Sequence, residues 1–217
     1  VVVSNDFGSV ESEMVEVLVN TTTLMNGLVG WWKFDETNGT VAYDSSGNGN
    51  DGNLTGGPTW TNGKIGGALS FDGNCFVEIG GILPKSYSKS LWINSSSIED
   101  QGNIFSWSDK HALFVPNGKL SSGHNDSWEV VEDSELLNLF QWYYVVLTYK
   151  YTSREMILFK NGLEVSKGQV ADCGELIRSQ IGAYKSSYNF KGLIDDVRIY
   201  DRALSADEVQ ALYNLGQ

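Results

Sequence analysis

The stretch Gly192-Leu193-Ile194-Asp195-Asp196-Val197-Arg198-Ile199-Tyr200, continued by Asp201-Arg202-Ala203-Leu204-Ser205-Ala206-Asp207-Glu208-Val209-Gln210-Ala211-Leu212-Tyr213, decides how the chain is read. Its first half is a buried strand with two carboxylates set into it. Its second half is a short helix with a complete start signal. Ser205 is the N-cap, Glu208 three residues later closes a capping box, and Leu204 and Val209 flank the cap as a hydrophobic staple. Val209, Leu212 and Tyr213, at i, i+3 and i+4, form one apolar face. Gly216 stands where a helix C-terminus favours a left-handed residue. A last strand followed by a small plug helix fits the closing of a β-sandwich. Two aspartates inside such a strand are costly unless something pairs with them.

From Leu28 onward the chain alternates strand and turn signals, with no long helical period before residue 205. Leu28–Glu36, Ala68–Phe71, Cys75–Ile79, Ser90–Asn94, Asn103–Ser106 and Ala112–Val115 read as strands. Trp142–Lys150 is apolar on both faces and belongs in the middle of a packed sheet. Asn161-Gly162 is a hairpin turn between Glu155–Lys160 and Leu163–Ser166, and Leu176–Gly182 and Phe190–Tyr200 finish the sheets. The 24 glycines against 3 prolines suit such a turn-rich β protein. The expected class is all-β, a two-sheet antiparallel jelly-roll sandwich with a short C-terminal helix. Residues 1–19 do not belong to it. They read as the terminal hairpin of a truncated immunoglobulin-like module, packed on the main domain or paired with a second copy. Residues 20–27 read as a polar linker, and 28–217 as the main domain.

The net charge of −12 argues against nucleic acid and anionic membranes as partners and is compatible with divalent cations. No apolar run approaches the roughly 18 residues of a membrane helix, so membrane insertion is not expected. Cys75 and Cys173 are an even pair, either one disulfide in an oxidising compartment or two separate buried thiols. Asp44-Ser45-Ser46-Gly47-Asn48-Gly49 begins like an EF-hand loop, but its twelfth position is Thr55, so a tight Asx-turn loop is expected instead. Glu11, Glu13 and Glu16 imitate a glucanase carboxylate triplet but lie in the hairpin segment. Glu129, Glu132, Asp133 and Glu135 read as a polar loop. No enzyme is expected. A glycan site needs exposed aromatic rings with polar partners; the loop candidates are Trp60, Trp107, Trp128, Tyr184 and Tyr188, with His124, Asn125 and Asp126.

Six motifs stand in order: Gly30-Trp31-Trp32-Lys33-Phe34-Asp35-Glu36, Asp44 to Gly52, Gly67-Ala68-Leu69-Ser70-Phe71-Asp72-Gly73, Gln141 to Val146, Phe159-Lys160-Asn161-Gly162, and Ile194 to Tyr200. In this the chain resembles the laminin-G-like, concanavalin A-like lectin/glucanase jelly rolls of bacterial multidomain proteins. The resemblance implies a non-catalytic module of a secreted or cell-surface protein, beside further domains of the same polypeptide. Its partner would be a glycan or cell-surface polysaccharide. A structural or adhesive spacer is the alternative, and a glucanase-like hydrolase is disfavoured. The resemblance also implies one structural Ca²⁺ where the first and last strands meet, with Asp195 and Asp35 as carboxylates and a carbonyl of the Asp72-Gly73 turn completing the cage. Asp196 would then point to the opposite face as a surface salt-bridge partner. Cys75 departs from the polar residue usual at its position, and Cys173 would be its compensating partner.

Overall fold

The computed structural model describes residues 2–5, 8–11, 21–82, 84–98, 102–107, 111–124, 127–171, 178–186 and 188–217, with side chains from residue 23 onward except that of residue 178. In chain order the strands are β1 (Val2–Asn5), β2 (Gly8–Glu11), β3 (Leu28–Trp32), β4 (Val41–Ala42), β5 (Gly52–Thr55), β6 (Thr59–Asn62), β7 (Gly67–Asp72), β8 (Phe76–Gly80) and β9 (Tyr87–Ser95). They continue with β10 (Gly102–Trp107), β11 (His111–Val115), β12 (Lys119–His124), β13 (Ser127–Leu136), β14 (Trp142–Lys150), β15 (Glu155–Lys160), β16 (Leu163–Gln169), β17 (Arg178–Ile181) and β18 (Lys191–Tyr200). Two helices, α1 (Thr21–Leu24) and α2 (Ala206–Leu215), flank them.

The strands form two antiparallel eight-stranded sheets. The first runs β13-β12-β11-β10-β17-β8-β5-β4. The second runs β16-β15-β14-β9-β18-β7-β6, with β3 also on β18. Their inner faces bury Trp32, Leu69, Leu91, Phe105, Leu113, Val145, Leu158 and Ile199 in one continuous core. The expected hairpin is present, with Val2 opposite Glu11; β1 and β2 form a two-stranded sheet of their own. Among the described residues no helix is long and apolar enough to cross a membrane.

The second sheet has a second cluster on its outer face. There α2 lays Val209 and Leu212 on Trp92, Tyr144, Val146, Phe159 and Tyr200, with Leu204 in the same cluster as the staple requires. The capping box forms as read: Ser205 Oγ accepts from Glu208 N at 3.3 Å, and Ser205 N donates to the Glu208 carboxylate at 2.9 Å. Gly216 differs from expectation, since its φ is −102° and not left-handed. A Cβ there would lie 2.6 Å from the Trp92 ring, so close packing, not backbone conformation, calls for glycine. The segment 20–27 is also more than a linker. Leu24 is buried in the outer cluster, and the Arg202 guanidinium donates to the carbonyls of Thr23 and Asn26.

The carboxylates expected in a polar loop lie in a strand, β13. In β13 Val131 and Asp133 face inward, and Asp133 meets Lys160 Nζ at 2.6 Å. Glu11 ends β2, while Glu13 and Glu16 lie outside the described residues.

Candidate functional site

Two places carry unusual chemistry. The first is the aspartate pair of β18. One edge of β18 pairs with β9. The other is shared, with Lys191–Ile194 facing β7 and Val197–Tyr200 facing β3. Asp195 and Asp196 fall between the start of β7 and the end of β3. The 63–67 loop enters this gap: Lys64 N and Ile65 N donate to Asp195 Oδ2 at 2.9 and 2.8 Å, and Gly67 N donates to Asp35 Oδ1 at 2.8 Å. Asp35 and Asp195 are thus brought to the same loop, joining the first strand to the last.

Gly73 is not brought there. Asp72 pairs with Lys191, so the Asp72-Gly73 turn sits at the far end of the ladder, roughly 17 Å from Asp195 at the usual strand rise. Asp195 is fully buried and its Oδ1 has no partner. Burial, and to a lesser degree the neighbouring Asp196 charge, push its carboxyl up to about 7 against the two N–H donors. Among the described residues no group of three or more His, Cys, Asp or Glu is placed to hold a metal ion. What the site offers is two carboxylates on one loop, Asp35 and Asp195, with the buried Oδ1 of Asp195 unpartnered.

Asp196 is neither on the opposite face nor at the surface. Its φ of +48° makes a bulge, and the register on β9 shifts between Asp195 and Arg198. The extra residue lets both aspartates share the outer side. There Asp196 Oδ1 accepts from Trp31 Nε1 at 2.6 Å and its Oδ2 lies 3.1 Å from Arg198. The salt bridge is as expected, but buried. The Asp44 loop is the expected Asx turn: its carboxylate accepts from Trp31 N, Ser46 N and Asn50 N. Cys75 is a buried free thiol whose pKa burial raises to about 11; Cys173 lies outside the described residues.

The second place is a groove of 280 Å³ on the outer face of the first sheet. Its floor is Ala112 and Phe114 of β11 with Asn103 of β10. One wall is Trp128 and Glu129, the adjoining one Tyr184 and Tyr188. Trp128 and Tyr184 meet edge to face with ring centres 5.4 Å apart, and Tyr184 and Tyr188 are 6.3 Å apart, so three rings form a row. Tyr188 is 58% exposed.

Local irregularities set up both walls. Between the pairs Ser122–Val131 and His124–Ser127, Gly123 alone faces residues 128–130, a bulge that lifts Trp128 and Glu129 out of the ladder. A Cβ at Gly123 would collide with the Ser127 carbonyl, so the bulge depends on glycine there. Beside the adjoining wall Lys185, Ser186 and Tyr188 all have left-handed backbones, at φ of 54°, 56° and 48°. Such conformations cost on the order of 1 kcal/mol or more each. Gln180 offsets part of this, accepting from Ser186 N and donating to Ser186 Oγ, while Asn103 N donates to Tyr188 O.

Of the eight sugar-contact candidates, the structure places Trp128, Tyr184 and Tyr188 in this groove, leaves Trp60 half-buried beside Phe34, and removes Trp107 and His124 from solvent, while Asn125 lies outside the described residues. Trp107 is fully buried between the sheets, with Tyr87 edge-on at 4.6 Å and the Lys89 ammonium 4.1 Å from its ring. His124 is fully buried too, its Nε2 2.6 Å from the Tyr87 hydroxyl and its ring 3.9 Å from that of His111. Both are core residues because β10 and β12 extend to include them. Asp126 lies outside the described residues. Sequence reading missed Phe114, Asn103 and Glu129 as groove residues. The Gly123 that permits the bulge was the available signal.

A family model described as the concanavalin A-like lectin/glucanases superfamily matches residues 72–210. The chain belongs to this superfamily. Among solved structures, domain 4 of AbnA, a GH43 extracellular arabinanase from Geobacillus stearothermophilus solved with arabinotriose, is similar at 24% identity. Its TM-score is 0.72, covering 86% of this chain and 98% of that one. The binding domain of botulinum neurotoxin DC, in complex with SialylT, is 13% identical at a TM-score of 0.68, over 89% of this chain and 52% of that one. Trypanosoma rangeli sialidase with 2,3-difluorosialic acid is 16% identical at 0.67, over 86% of this chain and 33% of that one. The superfamily member thus spans about half of the toxin chain and a third of the sialidase chain. At these identities the likeness is one of fold. A search of curated proteins finds no match.

Proposed function

We propose that this concanavalin A-like domain is a non-catalytic carbohydrate-binding module of a secreted or cell-surface multidomain protein, and that its glycan lies in the groove walled by Trp128 and Tyr184. The observation that carries this is the row of three aromatic rings held outside the core by a bulge and a strained turn. Aromatic faces stack on the C–H faces of sugar rings, and Asn103 and Glu129 supply polar atoms for hydroxyls. The arabinanase domain solved with arabinotriose and the toxin domain solved with SialylT lend support by analogy of fold. Among the described lining residues Glu129 is the one carboxylate, whereas hydrolysis of glycosides ordinarily uses a pair. The test is a glycan array followed by titration of the best hit against Trp128→Ala. At least a tenfold loss of affinity with an unchanged melting temperature is expected. An array without hits would sink the reading and leave the spacer alternative.

A structural Ca²⁺ is part of the proposal, with Asp35 and Asp195 as its carboxylates and main-chain oxygens of the 63–67 loop in place of Gly73. When bound it would neutralise the buried Asp195 charge and tie β3 to β18. Millimolar Ca²⁺ should then raise the melting temperature and a chelator lower it, and Asp195→Asn should abolish both responses. A melting temperature indifferent to calcium would remove the ion from the account.

A further inference from the structure

The charge of the groove limits what it can hold. Glu129 is exposed at the wall beside Trp128, and it is the one charged residue among the described lining residues. Lys185, whose ammonium lies 5.2 Å from the centre of the Tyr184 ring, is not among the described lining residues. The chain as a whole carries −12. A sugar carboxylate entering the groove would therefore meet a like charge and, among the described lining residues, no cation to pair with. A neutral sugar meets a charged acceptor, and a carboxylate can take hydrogen bonds from two neighbouring hydroxyls at once.

We infer that Glu129 sets the specificity of the groove, taking neutral glycans through their hydroxyls and turning away sialylated or uronate-bearing ones. This rests on the glycan-binding reading above and adds a substrate class to it. A second carboxylate about 6 Å from Glu129, at an effective dielectric of about 40, is disfavoured roughly tenfold. Because the wall is exposed, that discrimination is screened by salt. The charge that Glu129 presents is opposite in sign to what a site for acidic sugars needs, namely a cation aimed at the ligand.

The experiment uses an array of neutral glycans printed beside their sialylated and uronate-bearing counterparts, then titration calorimetry on the strongest hit and its counterpart. The expected result is binding of neutral glycans with about tenfold preference over the acidic partner, shrinking in 1 M salt. Glu129→Gln should weaken the neutral ligand about three- to tenfold and remove most of the preference. The side chain is exposed, so an unchanged melting curve for this variant separates a binding effect from misfolding. Equal or stronger binding of acidic glycans, especially if lost in Lys185→Ala, would overturn the inference while leaving the module a glycan binder. So would a preference that Glu129→Gln leaves intact. A silent array would overturn both readings.

Discussion

The two outer faces of the sandwich carry similar aromatic residues and treat them in opposite ways. On the second sheet Trp92, Tyr144 and Tyr200 are covered by Leu204, Val209 and Leu212, and almost nothing of them reaches solvent. On the first sheet Trp128, Tyr184 and Tyr188 stand beside Phe114 with no element of the chain over them among the described residues. The covered face has a helix whose start and apolar stripe are written in consecutive residues. The open face has a bulge and a left-handed turn, which raise side chains away from the sheet rather than sealing it. Burying each large apolar side chain contributes about 1.5–3 kcal/mol, so the covered face stabilises the fold. The open face forgoes that gain and keeps its rings available.

Truncating the sealed face should have the largest effect on stability. Leu212→Ala removes a side chain that is 2% exposed and leaves a cavity against the outer cluster. The expected loss is about 2–5 kcal/mol, read from chemical denaturation, with glycan affinity unchanged in the protein that remains folded. A loss below about 0.5 kcal/mol would mean that α2 merely rests on the sheet. Trp128→Ala should show the converse. Its stability should change by less than about 1 kcal/mol while its affinity falls at least tenfold, which is about 1.4 kcal/mol or more. If Trp128→Ala were the more destabilising of the two, the groove would be a piece of core and not a site.

The same contrast explains what could be read from the sequence. The capping box, the staple and the apolar stripe of α2 are local signals, and the structure bears them out at Ser205, Glu208, Leu204 and Val209. The two-sheet class followed from period and turn chemistry. What escaped depends on strand boundaries and bulges. The strand read as Asn103–Ser106 runs one residue further, and that residue moves Trp107 from a loop to the core. His124 ends β12 in the same way, and its partners Tyr87 and His111 come from distant positions. Alternation placed Asp196 opposite Asp195, but the bulge at φ +48° resets the alternation, and nothing in Asp-Asp-Val-Arg marks it. Trp128, Tyr184 and Tyr188 were legible as loop aromatics. Their meeting was not, because it joins the β12–β13 bulge to the 184–188 turn across the sheet.

The smallest expected effect concerns how the sealed face is pinned at its end. Arg202 donates to both Glu208 oxygens at 2.8 and 2.7 Å while holding the carbonyls of Thr23 and Asn26, so one guanidinium joins α2 to the start of the domain. These bonds from Arg202 hold the Glu208 carboxyl below its ordinary 4.5, against the opposing effect of burial. A carboxyl lowered on folding releases its proton more readily in the native state. Its contribution is therefore complete above the unfolded value of about 4.5 and is lost as the pH falls through the lowered native value. Glu208→Gln keeps an acceptor for Ser205 N but gives up the charge, so it should cost about 1–2 kcal/mol at pH 7. Stability measured from pH 7 downward should then show the two proteins converging in acid, with the groove's affinity for a neutral glycan the same in both at pH 7. A difference that stays constant through the acid range would mean the pair acts by packing alone, and that the sealed face owes its closure to Leu204, Val209 and Leu212 without help from the clamp.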